Sequence, residues 1–332
     1  MRYSENNSTQ LITKLTALWA ISESGLGGIF HALKLPFSGI FLGGFAVIII
    51  TFIAQNSTKK FSAIMQATFI VILIKAIASP HSPITAYIAV LFQGFLGAVI
   101  LSIFKPNYLS TILFGIIALM ESAFQKLIVL TLIFGENIWE AFQKFFDGIS
   151  KQLHFASLAS VPEAILIIYM SLYFLGGILA GWFALKFPTL IKNEAENLKD
   201  LNFDIEVKDS IKTKKKSKKK WIGLAFILLF IVSVFVFSGS SRSAVYTVLR
   251  TLGALAILYF IIDPLFKYFL DRLKNRQTAQ RSSQFKQVLE FLPQFKNNAN
   301  LAERIASERR SVFQKAKKLL IVWLALSLYF EE

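Results

Sequence analysis

No cysteine occurs anywhere in the chain. That absence removes a disulfide framework, a thiolate metal site and a thiol nucleophile together. Histidine occurs three times, at His31, His81 and His154, too scattered for metal-ligand spacing. The phosphate-cradling GxxxxGK[ST] string is missing, as are HExxH and GxSxG. These gaps argue against an enzyme, against ATP hydrolysis by this chain, and against a metal or other cofactor. No basic nucleic-acid reader motif accompanies the net charge of +16, so nucleic acid is not an expected partner. No small-residue cleavage site follows the first apolar run, so a cleaved signal peptide is not expected either.

What the chain has is apolar length. Over its 332 residues, 55% are hydrophobic. A bilayer core of about 30 Å requires roughly 20 apolar residues per helix. Runs of that kind occupy 36–54, 61–78, 84–104, 109–134 and 162–185. A weaker first run, 11–30, is interrupted by Lys14, Glu23 and three glycines. The turn Ser79–Pro83 holds two prolines and stops a helix. The stretch 135–153 carries Ile138, Trp139, Phe142, Phe145, Phe146 and Ile149 on one helical face and suits a membrane surface. Gly176, Gly177, Ala180 and Gly181 in the sixth run allow close helix packing.

Residues 187–220 form a polar linker, acidic first and then lysine-rich, expected to be solvated. Seven of the nine residues Lys212–Lys220 are lysine, and Trp221 opens a new apolar run directly after them. Two further spans, 221–237 and 245–266, follow. The chain then ends in a basic tail, 267–332. The tail carries a stripe of Phe285, Val288, Leu289 and Leu292 stopped by Pro293, and a looser one of Leu301, Ile305, Val312 and Ala316. Its last apolar run, 319–330, is about 12 residues, shorter than an ordinary span.

The expected fold is therefore all-α and polytopic. Six transmembrane helices (1–186) precede a cytoplasmic linker (187–220), two more spans (221–266) and amphipathic cytoplasmic helices (267–332). Lys/Arg-rich loops stay on the cytoplasmic side. Anchoring Lys212–Lys220 there places Lys59, Lys60, Lys105, Lys186 and the tail on the same side, in the cytoplasmic (inner) membrane.

A charge at mid-bilayer costs roughly 2.5–3.5 kcal/mol on insertion scales, so a retained one needs a reason. Glu23, Glu121 and Lys126 are the best candidates, with Glu23 a possible partner for Lys126. His31, Tyr87 and Gln93 lie near the outer span ends and extend the candidate solute site, whereas Lys75 is expected to snorkel. On the tail, Arg304, Arg309, Arg310 and Lys315 are candidates for meeting anionic lipid or an acidic groove on a partner.

The string SESGLGGIFHALKLPFSGIFLGG (22–44), the turn IASPHSPITAY (77–87) and the helix GFLGAVIL (94–101) carry a family resemblance. With six spans and a Gly-rich, cysteine-poor membrane block, residues 15–185 resemble the substrate-binding S-component of energy-coupling factor vitamin transporters. The second half, 221–332, resembles the coupling subunit of those systems, which docks on ATPases through Ala-Arg motifs. The nearest strings here are LAER (301–304) and IASERR (305–310), neither in Ala-Arg-Gly form. The resemblance implies a transport protein that binds a small polar or vitamin-like solute and engages a cytoplasmic ATPase or other membrane subunit. Two other readings stay open: an assembly or scaffold subunit with no solute site, and an ion or proton pathway through Glu23 and Glu121.

Overall fold

The computed structural model describes residues 2–3, 8–27, 37–79, 82–134, 161–199, 264, 268, 279–306 and 312–331. The seventh and eighth expected spans (apart from residue 264), the surface segment 135–153 and the lysine run lie outside the described residues.

A two-residue strand, β1 (Arg2–Tyr3), precedes α1 (Ser8–Ile21), which runs on into a π-helical turn, Ser22–Leu26. Next come α2 (Ser38–Gln55), α3 (Lys60–Ala78), α4 (Ile84–Ile103), α5 (Tyr108–Phe134) and α6 (Val161–Leu198). The tail contributes α7 (Ala279–Ala306), α8 (Val312–Tyr329) and β2 (Phe330–Glu331). Among the described residues, five helical stretches are long and apolar enough to cross a membrane: Ser38–Gln55, Lys60–Ala78, Ile84–Ile103, Tyr108–Val129 and Leu166–Leu198. The chain is thus a helical protein with the spans of a membrane-embedded one. The first expected span is not among the five, since α1 has only 14 residues before the π turn.

Residue contacts divide the chain into two units, Met1–Leu119 with Leu175–Asp209 and Leu270–Glu332, and Met120–Phe174 with Ser210–Phe269.

In the first unit, α1 packs against α2, α3, α7 and α8, and α4 lies against both α2 and α3. Small residues set how close these helices come. A Cβ on Gly94 would sit 2.5 Å from Thr68 Cγ2, and one on Gly97 would sit 2.6 Å from Ile50 Cγ2. Hence α4 can seat side chains of its neighbours against bare backbone, the mode of approach that small residues allow between membrane helices. The expected close packing at Gly177 and Gly181 is present: both lie on the backbone of α5, at Ile116 and Ile112.

Helix α6 corrects the reading of the linker. At 38 residues it is roughly 57 Å long, well beyond a bilayer core of about 30 Å. Lys186 stacks over the Trp182 ring at 3.9 Å, a pairing suited to the membrane–water boundary. Beyond it the helix continues through Pro188 into the polar sequence. Its Phe187, Ile191, Ala195 and Leu198 are buried at helical spacing. Phe187 meets Phe52 of α2 edge to face at 6.2 Å, and Glu194 pairs with Lys318 of α8. The start of the linker is therefore an amphipathic helix, because an apolar stripe every three or four residues survives beneath its charges.

The tail is corrected as well. Helix α7 passes through Pro293 rather than stopping there. Its buried face is Val288, Phe295, Asn298, Ala302 and Ala306, while Leu289 is exposed. Trp323 of α8 donates its indole N–H to the Phe295 carbonyl at 2.7 Å, and Asn298 Nδ2 donates to Ser327 Oγ at 3.4 Å. The end of α8, Leu324–Phe330, is buried. Lys14 of α1 explains its position. The Lys14 side chain is fully buried, and its ammonium donates to the carbonyls of Leu328 (3.4 Å) and Phe330 (3.2 Å). Leu328 lies in the last turn of α8, where the helix dipole favours a cation, and Phe330 lies directly after it in β2. Antiparallel pairing of Arg2 with Glu331 and Tyr3 with Phe330 closes the same junction.

Candidate functional site

Three helix ends meet in the first unit: the π turn after α1, the last turn of α3 and the first turn of α4. Each supplies one member of a buried polar cluster. Lys75 Nζ donates to Glu23 Oε2 at 2.7 Å, with side-chain exposures of 4% and 5%. The same ammonium approaches the Ala86 carbonyl at 3.4 Å and stands 5.8 Å from the centre of the Tyr87 ring. Tyr87, also buried, donates its hydroxyl to the Ser79 carbonyl at 3.3 Å. An ammonium has three donors and no acceptor, so a carboxylate, a carbonyl and a ring face form a natural shell for it.

The local sequence builds this arrangement. The π turn carries i→i+5 bonding, seen where the Gly27 N–H reaches the Ser22 carbonyl. Such turns leave the regular ladder and recur at functional sites. Two hydroxyls cover carbonyls at this irregularity: Ser22 Oγ donates to Trp19 O at 2.8 Å and Ser24 Oγ to Ala20 O at 2.5 Å. Carbonyls buried away from water need such side-chain donors. Lys75 sits in the last turn of α3, where the helix dipole favours a cation.

This geometry changes two expectations. Glu23 takes Lys75 as its partner in place of Lys126. Lys75 itself is buried, not snorkelling. Its register carried the signal: Ile64, Thr68, Val71 and Lys75 recur at helical spacing, and all four are buried. Lys14 is the other missed residue. It lies among apolar residues of α1, and a charge inside an apolar run warranted the same scrutiny as Glu23.

The remaining candidates are dispersed. Gln93 is buried on α4, six residues beyond Tyr87 and so roughly 9 Å along the axis. It faces α2, where a Cβ on Gly43 would lie 3.2 Å from its Nε2. In the second unit, Lys126 donates to Tyr173 Oη at 3.2 Å and stands 6.0 Å from the centre of that ring. Tyr173 packs on Tyr169 with ring centres 4.8 Å apart. One carboxylate oxygen of Glu121, Oε2, is buried without a hydrogen-bond partner among the described residues. His31, Arg309 and Arg310 lie outside the described residues, while Arg304 and Lys315 are exposed on α7 and α8. Among the described residues no group of three or more His, Cys, Asp or Glu side chains is placed to hold a metal ion.

Chemically, the Glu23–Lys75–Tyr87 cluster offers a cation, an anion and an aromatic face within one buried site. No protein-family description matches the chain, nor does any curated protein or any solved structure.

Proposed function

We propose that this chain is a membrane transport protein for a small polar, vitamin-like solute, and that the Glu23–Lys75–Tyr87 cluster reads the solute's charged group. The observation that carries this is the buried Glu23–Lys75 pair at 2.7 Å. A buried ion pair adds little net stability over well-packed apolar side chains, so a pair held away from water among apolar helices calls for a role. In the proposed mechanism a solute carboxylate takes over Lys75, and the released Glu23 accepts a donor from the same solute. Tyr87 supplies an apolar wall. The π turn lies where the bundle would open, and reorientation of the helical block would deliver the solute. In the proposed orientation the N-terminus, the linker and the tail are cytoplasmic in the inner membrane, and the cluster lies at the outer end.

The test is mass spectrometry of small molecules that co-purify with the full chain in mild detergent, followed by binding of the retained compound. Glu23→Gln is expected to weaken binding by about tenfold or more, the scale of a charge-assisted hydrogen bond. The swapped pair Glu23→Lys with Lys75→Glu keeps opposite charges together and separates folding from recognition. It should fold and still fail to bind. Undiminished binding by the folded swap removes this assignment.

A second reading, a scaffold subunit that recruits a cytoplasmic ATPase or another membrane subunit through its tail, is favoured by one feature. The buried faces of α7 (Val288, Phe295, Ala302) and α8 (Val322, Leu324, Leu328) are turned inward, while Arg304 and Lys315 are exposed. Arg304→Glu with Lys315→Glu should then abolish co-purification of the partner while the chain stays monodisperse. An intact complex would count against this reading.

A further inference from the structure

The turn between α2 and α3 and the last turn of α4 enclose a concavity of about 330 Å³, lined by Thr58, Lys59, Lys60, Phe61, Ser62 and Ser102. Neither lysine forms an ion pair among the described residues. Two lysines and three hydroxyl residues therefore line one small volume with no acidic residue among them, and Ser62 Oγ also accepts from Gln66 Nε2 at 3.3 Å. Helix α3 begins there, and its N-cap position, Lys59, makes no side-chain capping bond. The helix N-terminus adds positive potential to that of the lysines.

The rim is of another kind. Phe61 is 47% exposed, and Ile103 and Phe104, directly after Ser102, are 68% and 55% exposed. Phe61 stands at the start of one candidate span and Ile103 at the end of another, with Phe104 directly after it, so the rim belongs to the surface that meets lipid. We propose that this concavity binds the phosphate of an anionic phospholipid, with the acyl chains lying along Phe61, Ile103 and Phe104. The polar half suits a phosphate, whose oxygens take point-charge donation from lysine and hydrogen bonds from hydroxyls. The apolar half selects the lipid over free phosphate, which has nothing to place there. In the orientation proposed above this end faces the cytoplasmic leaflet, where basic pockets between spans hold anionic headgroups. The site is independent of the solute cluster and stands or falls separately from it.

The test uses the full chain, purified and stripped of lipid, titrated in mixed micelles with phosphatidylglycerol, with phosphatidylcholine and with inorganic phosphate. Wild type should bind phosphatidylglycerol at one site in preference to the other two. Lys59→Gln with Lys60→Gln should weaken that binding about 30-fold, since each lysine contributes roughly fivefold. Thr58→Ala with Ser102→Ala keeps the charge, and it should still lose affinity several-fold. Lys286→Gln with Lys296→Gln removes the same charge from the exposed face of α7 and should change binding less than twofold. Equal loss in that last pair would show only net charge at work and overturn the site. Inorganic phosphate that binds as tightly as phosphatidylglycerol would overturn the lipid assignment.

Discussion

Lys75→Met should lower the stability of the folded chain by about 3–5 kcal/mol, the range for removing one partner of a buried ion pair. The reason is the Glu23 carboxylate, not the lost lysine. With a side-chain exposure of 5%, Glu23 cannot turn to water. Its charge would stand in a low-dielectric site with its hydrogen-bond donor gone. The double variant Glu23→Gln with Lys75→Met removes both charges and should recover most of the loss, because a buried pair contributes little beyond its apolar replacement. Unfolding in mixed micelles, with all four corners of the double-mutant cycle measured, gives the coupling directly. A single variant as stable as wild type would mean that Glu23 is paired or neutral in another way. Moreover, the double variant separates stability from function: under the proposed transport role it should fold and bind no solute.

Gly181→Leu should be the most damaging change to the helical packing. Its Cβ would lie 2.5 Å from Ile112 Cα and would collide with the Thr111 carbonyl oxygen. At Gly177 a Cβ would lie 2.6 Å from Ile116 Cα and 2.7 Å from the Gly115 carbonyl oxygen. Every one of these obstacles is backbone, so no side chain can rotate away, and α5 and α6 must separate. Overpacking typically costs about 1–3 kcal/mol where side chains can adjust. With backbone on both sides the loss should reach or exceed the top of that range. Gly44→Ala is the control. Its Cβ would rest 3.6 Å from the Ala180 Cβ, an ordinary contact. It should therefore be neutral, or stabilising by up to about 1 kcal/mol through helix propensity. Yield of monodisperse protein and unfolding in mixed micelles distinguish the two. Equal tolerance of both changes would mean that the α5–α6 crossing does not depend on bare glycine backbone.

Much of the helical framework could be read from residue order. Pro83 stands directly before α4 where a turn was expected, and Gly176–Gly181 marks the close face of α6. By contrast, the limits of α6 and α7 differ from the sequence reading. Polar composition marked the end of α6 and Pro293 the end of the α7 stripe, yet α6 continues through Pro188 and α7 through Pro293, although a proline removes one backbone donor. One missing bond is outweighed when the turns on both sides bury an apolar face. Phe187, Ile191 and Ala195 do so in α6, and Val288, Phe295 and Ala302 in α7.

The candidate site was half legible. Glu23 and Tyr87 stand out because a carboxylate in an apolar run, or a tyrosine at a span end, conflicts with its surroundings. Their partner did not stand out. Lys75 lies 52 residues from Glu23, and near a helix end a lysine has two outcomes, snorkelling to the interface or turning inward. Only the neighbours on other helices decide between these.

By itself, then, the sequence determined the medium and the segment types. Apolar runs of bilayer length, the lack of cysteine and the clustering of charge outside those runs are local properties, and local patterns report them. Pairing was decided only in three dimensions. The ammonium of Lys14 rests on the carbonyls of Leu328 and Phe330, the ammonium of Lys75 on Glu23, and Lys318 on Glu194. A charge excluded from water takes whatever opposite charge or carbonyl its helix register and packing bring within reach, and that choice spans separations that no local pattern records.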